Sequence, residues 1–99
     1  MTEIAQTLFQ TYMEARGGRP VKWSKLAGTS QGAAWGVIAA QVSTKMRFAS
    51  GASVYACYRD KVGPYTHNGS EMKEWKFLSP AMKRGWEAVC KKVISLIDA

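Results

Sequence analysis

Arg16, Arg19, Lys22 and Lys25 recur at every third position with no acidic residue between them, which puts four positive charges within ten residues. The acids before them are Glu3 and Glu14. Cationic groups so spaced suit contact with successive phosphates, and such binding depends on salt and tolerates changes of base sequence. The competing account is a solvated face that only keeps a small protein soluble. The second half of the chain carries Arg59, Lys61, Lys73 and Lys76, diluted by Asp60, Glu71 and Glu74. Lys83 and Arg84 open the last amphipathic segment, with Lys91 and Lys92 further along it. If the two connecting regions share one edge of the fold, Arg16, Arg19, Lys22, Lys25, Lys73, Lys76, Lys83 and Arg84 form a basic rim. Its partner would be nucleic acid, DNA foremost, or the acidic surface of another protein. The overall balance agrees, with 14 Lys and Arg against 7 Asp and Glu, a net charge of +7 and a pI near 9.7.

Catalytic chemistry finds little to work with. The single histidine, His67, sits in a polar turn, and its one conceivable thiol partner, Cys57, lies in an apolar stretch that favours the unreactive protonated form. Neither Gly17-Gly18 nor Gly32 and Gly36 fits a phosphate-cradling glycine loop. The acids form no metal-binding cluster, and Cys57 and Cys90 both fall on apolar helical stripes, as buried thiols in a reducing compartment do. The expectation is a protein that is not an enzyme and needs no cofactor and no metal.

The elements that must position the basic residues are helical. Ala5, Leu8, Phe9 and Tyr12 recur at i, i+3, i+4 and i+7, which predicts a helix over 3–16 with Thr2 as its cap and Gly17-Gly18 as its left-handed stop. The first connector, 17–29, holds Trp23 and Leu26, whose burial is worth about 1.5–3 kcal/mol each and so folds the connector back over the core, with room for one turn at Ser24–Leu26. A second helix over 30–47, capped by Thr29 or Ser30, has Trp35, Ile38, Ala39, Val42 and Met46 as its stripe. Its Gly32, Gly36 and alanines make a smooth face for close helix packing, within the monomer or across a homodimer. Gly51 is expected to end that helix, and Ser50 or Ser53 to cap a third over 53–62 that stops at Gly63-Pro64. Asn68-Gly69 marks a turn in the second connector. Ser79-Pro80, a cap followed by proline at the first helical position, opens the last helix over 80–97, with Met82, Trp86, Val89, Cys90, Val93 and Ile97 buried.

The two halves resemble each other. Phe9, Tyr12 and Gly17 match Tyr55, Tyr58 and Gly63 at an offset of 46, Trp23 and Leu26 match Trp75 and Leu78 at 52, and Trp35, Ile38 and Val42 match Trp86, Val89 and Val93 at 51. The expected architecture is a single all-α domain of 99 residues, four helices in two similar helix–connector–helix units, about 5–45 and 52–97, packed about a shared aromatic core.

Two resemblances bear on function. Trp75-x-x-Leu78-Ser79-Pro80-x-x-Lys83-x-x-Trp86-x-x-Val89 resembles the second half of an HMG box over about Trp75–Ile97. That family binds and bends DNA through the minor groove. The separate second helix and the basic N-terminal strand of the family have no counterpart here. The whole-chain pattern of an aromatic helix, Gly17-Gly18, Trp23-x-x-Leu26 and Gln31-x-x-x-Trp35 is similar to small helical proteins encoded by bacteriophages. This second resemblance implies a modulator that docks on and redirects a host protein, and it implies no catalytic residues. With no apolar run of membrane-spanning length or signal-peptide character, the expected location is the cytoplasm, at the nucleoid for a DNA binder and in the host for a phage product.

Overall fold

The computed structural model describes residues 2–18, 21–63 and 72–99. Four helices follow in order, α1 (Thr2–Arg16), α2 (Ser30–Ser43), α3 (Gly51–Val62) and α4 (Pro80–Asp98). Among the described residues, the α1–α2 and α3–α4 connectors each carry one short 3₁₀ turn, and each turn starts on a tryptophan, at Trp23–Lys25 and Trp75–Phe77. The expected Asn68-Gly69 turn, Pro64 and His67 lie outside the described residues.

The helix boundaries have local causes. Gly17 and Gly18 take φ of 75° and 82°, and the Gly17 N–H closes α1 on the Met13 carbonyl at 3.0 Å. Thr29 caps α2 by accepting from the Gly32 N–H at 3.3 Å, and Ser79 caps α4 by accepting from the Met82 N–H at 3.2 Å. Thr2 lies inside α1 rather than before it.

Two boundaries differ from expectation. Helix α2 stops at Ser43, four residues early, and Met46 is exposed instead of continuing the stripe. The stop is a Schellman turn: Lys45 donates to the Val42 carbonyl and Met46 to the Gln41 carbonyl, with Lys45 at φ 59° in the position usually given to glycine. Gly51 starts α3 rather than ending α2. Its N–H donates to Glu87 Oε1 at 2.9 Å, and a Cβ there would lie 2.7 Å from the Glu87 backbone nitrogen, so α3 begins pressed against α4. Ser50 occupies the capping position without a side-chain hydrogen bond. The smooth glycine face of α2 is also not a helix-packing face throughout. Gly32 abuts the Leu26 carbonyl of its own connector, and Gly36 has open space where a Cβ would stand.

The core is aromatic at its centre and aliphatic around it. Leu8, Ile38, Val54, Val89 and Val93 are fully buried, and Trp35 and Trp86 are each 2% exposed. The two indoles stack at 5.3 Å with planes 11° apart. Around that pair the other ring contacts fall into couples related by the sequence offsets. Phe9–Trp23 at 5.7 Å answers Tyr55–Trp75 at 6.1 Å, and Phe9–Trp35 at 5.8 Å answers Tyr55–Trp86 at 5.5 Å. Tyr12–Trp35 at 5.8 Å answers Tyr58–Trp86 at 5.0 Å, and across the halves Tyr12–Trp86 at 4.5 Å answers Tyr58–Trp35 at 5.6 Å. Helix packing follows the same exchange: α1 runs most extensively along α4, and α2 along α3. Tilted rings at these separations add about 0.5–1.5 kcal/mol per pair beyond their burial.

Both connectors close over this core in the same way. A 3₁₀ turn has three residues per turn, so Trp23 and Leu26, or Trp75 and Leu78, share one face of it. Leu26 and Leu78 are buried, and Trp23 and Trp75 are half-buried against the core. No described helix is long and apolar enough to cross a membrane.

Candidate functional site

The connectors and helix ends enclose a groove of about 830 Å³. Its floor is the aromatic centre, with Tyr12, Trp35, Tyr55, Tyr58 and Trp86. One wall comes from the first connector, through Val21, Lys25, Leu26 and Thr29, and the other from the second, through Met72, Lys73, Phe77 and Leu78. Met13 and Arg16 from the end of α1 and Met82 from the start of α4 complete it. Among the described residues, no Asp or Glu lines it. A neighbouring depression of about 520 Å³ is lined by Arg59, Met72, Lys73, Glu74 and Phe77, so Lys73 and Phe77 stand on the ridge between the two.

The 3₁₀ turns explain what points into the groove. With Trp and Leu committed to the core face, the residue just before each Leu must face away. That residue is Lys25 in the first turn and Phe77 in the second. Val21 and Lys73 are likewise related by the offset of 52. Each wall therefore offers one cation and one exposed apolar side chain in opposite chain order, Val21 then Lys25 on one side and Lys73 then Phe77 on the other. Val21 is 43% exposed and Phe77 63%.

The expected basic residues are brought together in part. Arg16, Lys25 and Lys73 line the groove. Arg16 lies over the Tyr12 ring at 5.6 Å and donates through Nε to the Gly17 carbonyl at 3.2 Å, which sets its guanidinium at the mouth. Lys83 lies over the half-buried Trp75 ring at 5.9 Å, one residue beyond the groove-lining Met82. Lys22 is exposed immediately before the first 3₁₀ turn. Lys76 pairs with Glu74 at 3.8 Å and lies 5.1 Å from the Phe77 ring centre, while Arg84 is exposed on α4 away from the lining. Arg19 lies outside the described residues. Among the described residues, neither Lys25 nor Lys73 takes part in an ion pair.

Among the described residues, the groove has few polar groups that could do chemistry. Burial pushes the phenols of Tyr12, Tyr55 and Tyr58 above their ordinary range, with Arg16 partly offsetting this at Tyr12 and Arg59 at Tyr55. The Tyr55 hydroxyl donates to the Lys73 carbonyl and so anchors the second connector to α3. Among the described residues, Trp86 Nε1 is buried without a hydrogen-bond partner. Both thiols are free and raised, first by burial and then by a nearby acid, Asp60 for the half-buried Cys57 and Glu87 for the buried Cys90. Among the described residues no three His, Cys, Asp or Glu side chains gather as metal ligands.

Phe77 and Val21 were not among the residues singled out from the sequence. The signal was present for Phe77, because Trp75-x-x-Leu78 on a 3₁₀ turn leaves its third position outward. It was hidden because an aromatic beside a tryptophan and a leucine passes for one more core residue. Comparison of the chain with protein-family models, with curated proteins and with solved structures found no match.

Proposed function

We propose that this chain is a small non-enzymatic module that binds nucleic acid across the face made by its two connectors. One observation carries the proposal: cations from both connectors and from the end of α1 stand around a single groove that, among the described residues, no acid lines. Lys25, Lys73 and Arg16 meet phosphates at the rim, with Lys22 and Lys83 extending the positive field on either side. Such contacts displace condensed counterions, so affinity falls linearly with salt on logarithmic axes, with a slope of about −0.7 to −0.9 per phosphate neutralised.

Titration of a labelled oligonucleotide at several salt concentrations tests this. Three to four rim contacts predict a slope of about −2 to −3.5. The quadruple change of Arg16, Arg19, Lys22 and Lys25 to alanine should remove binding, and Lys25→Ala with Lys73→Ala should make the slope shallower by about 1.4–1.8. No binding at low ionic strength sinks the proposal. A second proposal, a phage-type modulator that docks on an acidic host-protein surface, is supported by the methionines Met13, Met72 and Met82 in the groove, since flexible thioethers adapt to protein side chains. Binding of an acidic amphipathic peptide by a protein that ignores oligonucleotides would decide for it.

A further inference from the structure

We infer that the nucleic acid is single-stranded, with an unpaired base stacked on Phe77 and its backbone crossing the groove between Lys73 and Lys25. This inference rests on the nucleic-acid proposal above and narrows its ligand. Three observations combine. Phe77 is 63% exposed, which for a phenylalanine forfeits burial that nothing else among the described residues explains. Lys76 Nζ stands 5.1 Å from its ring centre, and the ring lies on the ridge shared by the two depressions, beside Lys73. The groove itself is concave, floored by aromatic rings and edged by cations.

A duplex fits this surface poorly. Its phosphates lie on the outside of a wide cylinder and its base faces are stacked away, so it could touch the rim lysines but leave Phe77, Val21 and the apolar walls empty. An unpaired strand carries both chemistries in alternation. Each base has a flat apolar face and each linkage a negative charge, the combination that aromatic platforms in basic grooves receive. The opposed order of Val21–Lys25 and Lys73–Phe77 on the two walls gives a strand crossing the groove a cation and an apolar contact on both sides. Stacking is sequence-tolerant, so DNA and RNA strands share the required features, and they differ in the 2′-hydroxyl and the thymine methyl.

The test uses the full chain and fluorescence anisotropy with oligothymidylate and oligouridylate of about twelve nucleotides, a length within the usual span for such grooves, and with a duplex of equal length. Wild-type protein should bind the single strands more tightly than the duplex. Phe77→Ala should weaken single-strand binding about tenfold and leave the weaker duplex binding unchanged, and Phe77→Tyr should restore it. Because Phe77 is exposed, the variants should melt with the wild type, which circular dichroism checks. A Phe77→Ala loss that is absent, or equal on single strands and duplex, overturns the inference, as does preference for the duplex. In those cases the salt-dependent rim binding still stands. If neither polymer binds, the nucleic-acid proposal itself falls, and capture of the acidic amphipathic peptide would identify the groove as a protein-docking site. Preference between oligodeoxyuridylate and oligouridylate, which differ only in the 2′-hydroxyl, reports which nucleic acid the groove favours.

Discussion

Gly85 on α4 sits against Tyr12 of α1, and replacing it with alanine should destabilise the fold although alanine is the better helix former. A Cβ at Gly85 would stand 2.6 Å from Tyr12 Cδ1, 2.7 Å from Cε1 and 3.1 Å from the Tyr12 backbone oxygen. The ring cannot swing clear, because Trp86 holds it at 4.5 Å and Trp35 at 5.8 Å. Relief requires α1 and α4 to move apart along their main contact. Overpacking of this kind costs about 1–3 kcal/mol, against a helix-propensity gain of about 1 kcal/mol. The expected net loss is about 1 kcal/mol, or about 4–8 °C in Tm for a domain of this size. Gly36→Ala is the control. It lies within α2, where an added Cβ meets nothing within 4 Å, so it should stabilise by about 0.5–1 kcal/mol. Urea unfolding followed by tryptophan fluorescence reads both midpoints. Stabilisation by Gly85→Ala equal to that of Gly36→Ala would refute the close approach of α1 to α4.

Three further outcomes follow from the helix ends and the surface. Thr29→Ala and Ser79→Ala should each cost about 1 kcal/mol in urea unfolding, whereas Ser50→Ala, whose side chain makes no capping bond, should cost a few tenths at most. Lys45→Gly should stabilise by about 0.5–1 kcal/mol, because it relieves a left-handed residue in the Schellman turn; an unchanged midpoint would contradict that turn. The Asp98 carboxyl accepts hydrogen bonds from Arg47, which holds it below the usual carboxylate range. A depressed folded-state value means that its contribution is present at neutral pH and is lost as pH falls through that value. Carboxyl NMR titration should therefore show the Asp98 midpoint rising in Arg47→Ala.

The parts of this fold that were legible in the sequence are those in which one residue type does one job. Ala5, Leu8, Phe9 and Tyr12 announce α1 because all four are buried on one stripe, and Ser79-Pro80 announces α4 because the cap and the proline act in the chain itself. The matched Trp-x-x-Leu pairs foretold that both connectors cover the core. The end of α2 was hidden because Lys45 takes the left-handed position that glycine would have advertised, while Met46 keeps the helical period and yet stays exposed. Gly51 was misplaced because its partner, Glu87, is 36 residues away, and no local pattern carries that contact. For the site, periodic basic residues were visible, but which of them share a groove depends on how the two connectors come together. That juxtaposition gathers Arg16, Lys25 and Lys73, leaves Arg84 outside and sets Phe77 beside Lys73.

The most direct test of the account is an amide NMR titration of the protein with oligothymidylate at low salt. Binding across the connector face predicts shifts concentrated in residues 21–29 and 72–82, with the largest around Lys25, Lys73 and Phe77, and little change along the far half of α4. Shifts centred on Lys91 and Lys92, or on the turn around Met46, with the connector amides unmoved, would contradict it.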